Sequence, residues 1–213
     1  MEKVKIPKYS ILEERINFIS HGIGALLSVF ALLIMILLSK NRLEIICSSI
    51  FGVTLILLYI ISTIYHLLPS NNRAKIYLRV IDHCMVFLLV FGTYTPVALL
   101  AIGGKLGNII LLCVLLVAII GIICNIKNLE KYQLVSVLCH IIIGWSSLLF
   151  LKQLFPNIHL EGIGYLILGG TMYSIGAILY RIGRYKKYMH SIFHFFCLAG
   201  SIFHFLLIVK CVL

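Results

Sequence analysis

A chain of 213 residues that is 62% hydrophobic, with a mean hydropathy of +1.10, cannot be a water-soluble globule, because apolar runs long enough to cross a bilayer recur along it. The net charge of +11 does not point to nucleic acid, since Lys and Arg fall in short segments between apolar runs and form no continuous stripe. Seven cysteines, none in a CxxC pair and all in or beside apolar runs, exclude a disulfide framework and a zinc finger.

Residues 1–16 read as a basic N-terminal tail. The apolar stretch after it has full spanning length and no small-residue cleavage site, so it is expected to stay as a signal anchor. Windows of about 20 apolar residues place spans near 17–38, 45–67, 80–101, 107–126, 132–152, 162–181 and 189–212. The breaks between them carry turn chemistry: Pro69 to Asn72, Gly103 to Lys105, Asn128 to Lys131, Phe155 to Asn157, and Arg181 to Lys187. The expectation is an all-α integral membrane bundle of seven transmembrane helices, a single domain over 1–213. Pro96, after Gly92-Thr93-Tyr94-Thr95, predicts a kink in the third span, with threonine hydroxyls serving the freed carbonyls. The glycine-rich sixth span predicts close helix approach.

Basic residues flanking spans are retained on the cytoplasmic side. Lys3, Lys5, Lys8, Arg15, Arg73, Lys75, Arg79, Lys127, Lys131, Arg181, Arg184, Lys186 and Lys187 fall on one side, against Lys40, Arg42, Lys105, Lys152 and Lys210 on the other. This asymmetry predicts a multi-pass protein of the cell (plasma) membrane with its N-terminus in the cytoplasm and its C-terminus outside. Membrane lipids are the expected partners, and the sequence assigns no oligomeric state.

Ionisable groups within spans are expensive and mark function by default. In that orientation the end of the second span and the starts of the third and seventh share one depth. Ser62 and His66 stand one turn apart on the second span, Asp82 is the chain's only aspartate, and His190 and His194 form a His-x-x-x-His pair on one face of the seventh. Three neutral imidazoles and a water make the usual open zinc site, with a nearby carboxylate to hold that water. His66, His190 and His194 are therefore the expected zinc ligands and Asp82 the expected acid-base group.

Glu14, Asn17 and His21, at the entrance of the first span, are expected to support the site. His83 points about 100° from Asp82 and is expected to take an interfacial role. His204 lies 14 residues beyond His190, about 21 Å along a helix axis. It and His140 are thus too deep to share the metal, and a polar path across the bundle is the functional alternative for both. His159 falls in an outer loop.

Glu14-x-x-Asn17-x-x-x-His21, Ser62-x-x-x-His66, Asp82-His83 followed by Gly92-Thr93-Tyr94-Thr95-Pro96, and His190-x-x-x-His194 with His204-Phe205 resemble the haemolysin III family, which belongs with the progestin and adipoQ receptors. The resemblance runs from about residue 10 to the C-terminus. It implies a seven-helix bundle with a cytoplasmic zinc ion held by His66, His190 and His194. It also implies that Asp82 and Ser62 stand beside the zinc-bound water. Adiponectin receptors of that superfamily are associated with ceramide hydrolysis, whereas haemolysin III members are named for cytolysis and often labelled channels. The expected function is a zinc-dependent hydrolase of lipid amides or esters; the alternatives are a cytolysin or channel and a non-catalytic sensor of membrane state.

Overall fold

The computed structural model describes residue 4 and residues 6–213; Lys3 and Lys5 of the basic count lie outside the described residues. An apolar chain in lipid must satisfy its backbone polar groups internally, and the described residues form helices and no strand. Helix α1 (Ile11–Leu38) starts at Ser10, whose hydroxyl and backbone form a capping box with Glu13. Helix α2 (Arg42–Leu67) is capped by Asn41 and α3 (Arg73–Pro96) by Asn72. A π-helical turn (Val97–Ile102) leads to α4 (Gly104–Ser146), a 3-10 turn (Ser147–Phe150), α5 (Leu151–Ile182), α6 (Met189–Leu207) and a second π-turn (Ile208–Val212).

Two helices begin earlier than expected. Helix α1 starts at Ile11, so Glu13 and Glu14 belong to its first turn and not to a tail. Helix α3 starts at Arg73 and not near 80, because Asn72 caps it and the long stems of Lys75 and Arg79 lie buried. Pro96 ends α3 and yields an α-to-π transition in place of a kink within the span. The Thr93 and Thr95 hydroxyls bond Leu89 O at 2.8 Å and Phe91 O at 2.9 Å, and Gly103 N–H closes the π-turn on Ala98 O at 2.9 Å.

Five helical runs among the described residues are long and apolar enough to cross a membrane: Ile11–Leu38, Arg42–Leu67, Arg73–Ile102, Gly104–Ile182 and Met189–Val212. The fourth has 79 residues. Straight, it would extend about 120 Å, four times a hydrocarbon core of about 30 Å. Its backbone leaves helical geometry at Asn128 (φ −160°, ψ 89°) and His159 (φ 50°, ψ −170°). The chain doubles back at the first of these, where Ser136 Oγ donates to Asn125 Oδ1 at 2.7 Å across 11 residues, a separation that an unbroken helix would hold at about 16 Å. At the second, Leu154 and Ile158 pack in one cluster with Leu166. His159 is thus a backbone hinge, two residues beyond the expected Phe155–Asn157 break.

Helix α1 packs on α2 and α6, α2 on α3, α3 on α4, and α5 on α6. Met35, Phe51, Leu55, Tyr59, Leu89 and Ile208 form the largest apolar core, while Leu33, Leu112, Ile120 and Leu149 face outward as lipid requires. The glycine-rich segment of α5 makes the close approach expected of it: a Cβ on Gly169 would stand 2.8 Å from His204 Nε2 of α6. Gly169→Leu is accordingly expected to destabilise the fold by about 1–3 kcal/mol, read as a lower melting temperature in detergent. An unchanged melt would show that α5 and α6 do not touch there.

Candidate metal centre

The last turn of α2 carries His66, and the first turns of α6 present His190 and His194, four residues apart on one face. All three are buried. Ring centroids stand 4.9 Å apart for His66 and His194, 5.3 Å for His66 and His190, and 4.8 Å for His190 and His194. His190 Nε2 lies 3.4 Å from His66 Nε2 and 3.2 Å from His194 Nε2. One nitrogen from each ring falls within 4.8 Å of the others, so the triad can hold a metal ion. Zinc–nitrogen bonds of about 2.0–2.1 Å in a tetrahedron set ligand nitrogens about 3.4 Å apart, which the two Nε2 spacings from His190 match.

The hydrogen-bond partners also fix the protons. His66 Nδ1 lies 2.6 Å from Glu14 Oε2. A carboxylate only accepts, so Nδ1 carries the hydrogen, and in the neutral imidazole that ligates a metal Nε2 is then the bare lone pair. Ser20 Oγ spends its own hydrogen on Asn17 O at 3.0 Å and stands 3.2 Å from His194 Nδ1. It therefore accepts from Nδ1–H, which leaves His194 Nε2 bare as well. Two lone pairs and a third imidazole nitrogen meet at one buried point. His190 Nε2–H can satisfy only one of them, whereas a cation satisfies all.

The residues expected to support the site surround it. Besides His66, Glu14 takes Lys75 through Oε1 at 2.7 Å, and Lys75 Nζ, 1% exposed, also donates to Leu68 O at 2.7 Å. Asn17 Nδ2 approaches His66 Nδ1 at 3.4 Å. His21 stacks on His194 with centroids 3.5 Å apart. Glu13 Oε1 accepts Tyr188 N–H at 2.7 Å, which ties the start of α6 to α1.

Asp82 and Ser62 are not members of the ligand cluster. With His21, His190 and His194 they line a cavity of about 220 Å³ to which all six helices contribute. Asp82 Oδ2 lies 3.8 Å from His83 Nδ1. His140 and His204 line the same cavity and stand outside the triad, as their depth predicts.

Some polar groups were not legible beforehand. His83 turns into the bundle: its Nδ1 is 2.8 Å from Arg79 O and its Nε2 2.8 Å from Tyr180 OH, and it lines the cavity. Gln133 bonds the same Tyr180 hydroxyl. The 100° step between neighbours does not carry His83 away from the site: its Nδ1 stays 3.8 Å from Asp82 Oδ2, and α4 and α5 cover its face. Tyr9 stacks on His190 with centroids 4.8 Å apart, and nothing in its basic, short-range context marks it. Lys75 read as a loop charge; its burial against Glu14 is visible only in the structure.

Residues 9–205 match the family described as Haemolysin-III related. The chain is 37% identical over 196 residues to the Hemolysin-3 homolog of Bacillus subtilis (strain 168), with 91% of each chain covered. It is 35% identical over 215 residues to the Hemolysin-3 of Bacillus cereus, with 100% of this chain and 97% of that one covered. It is 26% identical over 180 residues to the monocyte to macrophage differentiation factor of Homo sapiens, covering 81% of this chain and 73% of the relative.

Proposed function

The chain belongs to the haemolysin III-related family, and from that membership and the histidine geometry we propose a multi-pass membrane protein that hydrolyses lipid amides or esters at a zinc centre near the cytoplasmic face. The observation that carries this is the meeting of His66, His190 and His194 nitrogens within 4.8 Å, with bare Nε2 atoms on His66 and His194. The fold-backs at Asn128 and His159 support division of the fourth apolar run into three crossings, seven in all. The excess of Lys and Arg beside one set of helix ends supports a cytoplasmic N-terminus.

His66, His190 and His194 would hold the ion. Zinc there supplies Lewis acidity, polarising a carbonyl oxygen and easing ionisation of water. The protein's own groups do the rest. Asp82, on the wall of the shared cavity, takes the proton from water as its oxygen attacks the carbonyl carbon, then returns it to the departing amine or alkoxide. Ser62, buried and lining the same cavity, positions the polar end of the substrate. Glu14 and Ser20 hold two imidazoles in register. A cavity walled mostly by apolar side chains suits a lipid that enters sideways from the bilayer.

Purified protein incubated with a panel of ceramides, phospholipids and acyl esters is expected to release fatty acid, and Asp82→Asn to slow that release by about 10²–10⁴-fold. Metal-loaded protein that cleaves no member of the panel would remove the catalytic role and leave a structural ion. The Hemolysin-3 name of the relatives favours a second function, membrane permeation. A chain this apolar does not travel through water unaided. Conductance in pure-lipid bilayers that persists in His66→Ala and His194→Ala would favour permeation over hydrolysis.

A further inference from the structure

The side of α6 that carries the metal ligands stays polar far beyond them. His190, His194, Cys197, Ser201 and His204 recur at spacings of four, three, four and three residues, so they lie on one helical face. All five line the 220 Å³ cavity. From His190 to His204 the stripe runs about 21 Å, most of the way across a hydrocarbon core of about 30 Å. Other helices add to it. Tyr59 OH of α2 and Tyr173 OH of α5 both meet Ser201 Oγ, at 2.7 and 2.8 Å, and His204 stacks on Tyr173.

Several cavity-lining groups have no protein partner among the described residues. They are both ring nitrogens of His21, Nδ1 of His204, Nε2 of His140 and Oε1 of Gln133. His21 is 4% exposed, His204 7% and Gln133 4%. Left dry, each would forfeit the hydrogen bonds that a buried polar group needs. Helix packing alone does not explain this, since a buried histidine kept for packing finds a neighbour's carbonyl or hydroxyl. The cavity is large enough for several waters, and residues with orphaned donors and acceptors are spread from the triad to its far end.

We propose that the α6 stripe carries a file of internal water running from the histidine triad to His204. The stripe delivers water to the metal centre through the body of the bundle. The cytoplasmic side of the triad is covered by Tyr9, stacked on His190, and by the buried Glu14–Lys75 pair. The file is a property of the fold with no lipid in the cavity and stands whether or not the centre turns one over; a substrate chain entering the same cavity would displace the water along its apolar walls.

X-ray radiolysis of the wild-type protein in nanodiscs tests it, because hydroxyl radicals made in place oxidise side chains that adjoin water. Site-resolved mass spectrometry is expected to find Cys197 and His204 oxidised at least about tenfold faster than Met35, a reactive side chain with 0% exposure in the dry core of α1 and α2. The lipid-facing thiol of Cys113 is expected to stay as inert as Met35. Ser201→Leu, which places an apolar plug in mid-stripe, is expected to lower oxidation of Cys197 and His204 by about fivefold or more. Radiolysis in H₂¹⁸O is expected to put the heavy isotope into Cys197. Rates at Cys197 and His204 no greater than at Met35 in the wild type would overturn the file, whatever the hydrolysis assays show.

Discussion

Purified wild-type protein is expected to carry about one metal ion per chain, and His194→Ala to weaken its affinity beyond the 10–100-fold that loss of an outer-layer partner produces. Two of the three nitrogens are set by hydrogen bonds on the far sides of their rings, so the cluster is organised before any ion arrives. Alanine at 194 removes a ligand and leaves Ser20 Oγ and the stacked His21 facing a hole. Ion that binds only the folded state adds about 2.7 kcal/mol of stability at a hundred times its Kd. The melting temperature of the wild type should therefore fall on chelation, and that of His194→Ala should not respond. His204→Ala, 14 residues further along α6, serves as a control that keeps its metal. Elemental analysis that finds equal metal in the wild type and in His194→Ala, or none in either, would remove the centre and the hydrolytic mechanism with it.

The second large effect lies on Glu14. Its carboxylate joins His66 and Lys75, and the lysine side chain is 1% exposed. Truncating one member of such a pair strands the other as an unpaired buried charge, a loss of about 3–5 kcal/mol. Glu14→Ala is thus expected to melt well below the wild type and to bind metal about 10–100-fold more weakly, because His66 loses the acceptor that sets its tautomer. Adding Lys75→Met removes the stranded ammonium. The double variant should regain much of the stability and none of the metal affinity. That split separates an electrostatic defect from a ligand-orienting one, and a double variant as unstable as Glu14→Ala would show that packing, not charge, governs the corner. Lys75→Met alone should lose stability while Glu14 still holds His66, with a smaller change in affinity.

The histidines themselves were legible in the sequence. His66, His190 and His194 could be brought to one depth by counting spans and assigning each its direction, because in a bilayer the helix length is set by the hydrocarbon thickness. Glu14, Asn17 and His21 stood out as polar groups where an apolar helix begins, and all three contact the triad. Lateral position within the bundle was not legible. His83 was assigned to the interface from its angle relative to Asp82, yet α4 and α5 close over that face with Gln133 and Tyr180. Asp82, expected beside the metal, lines the cavity that His190 and His194 also line, 3.8 Å from His83. The boundaries near Ile11 and Arg73 shifted because caps and buried long stems, not hydropathy, end those helices.

By itself the sequence determined that this is an all-helical membrane protein and which histidines gather at one level, since those depend on apolar length and on spacing along a helix, both local quantities. Only the tertiary structure decided which ring nitrogens are bare, that Lys75 is buried against Glu14, and that a cavity continues along α6 past Ser201 to His204. These are contacts between side chains up to 174 residues apart, as between Ser20 and His194. In lipid no hydrophobic gradient between neighbouring helices dictates which face meets which, so that choice rests on packing and hydrogen bonds that exist only once the bundle has closed.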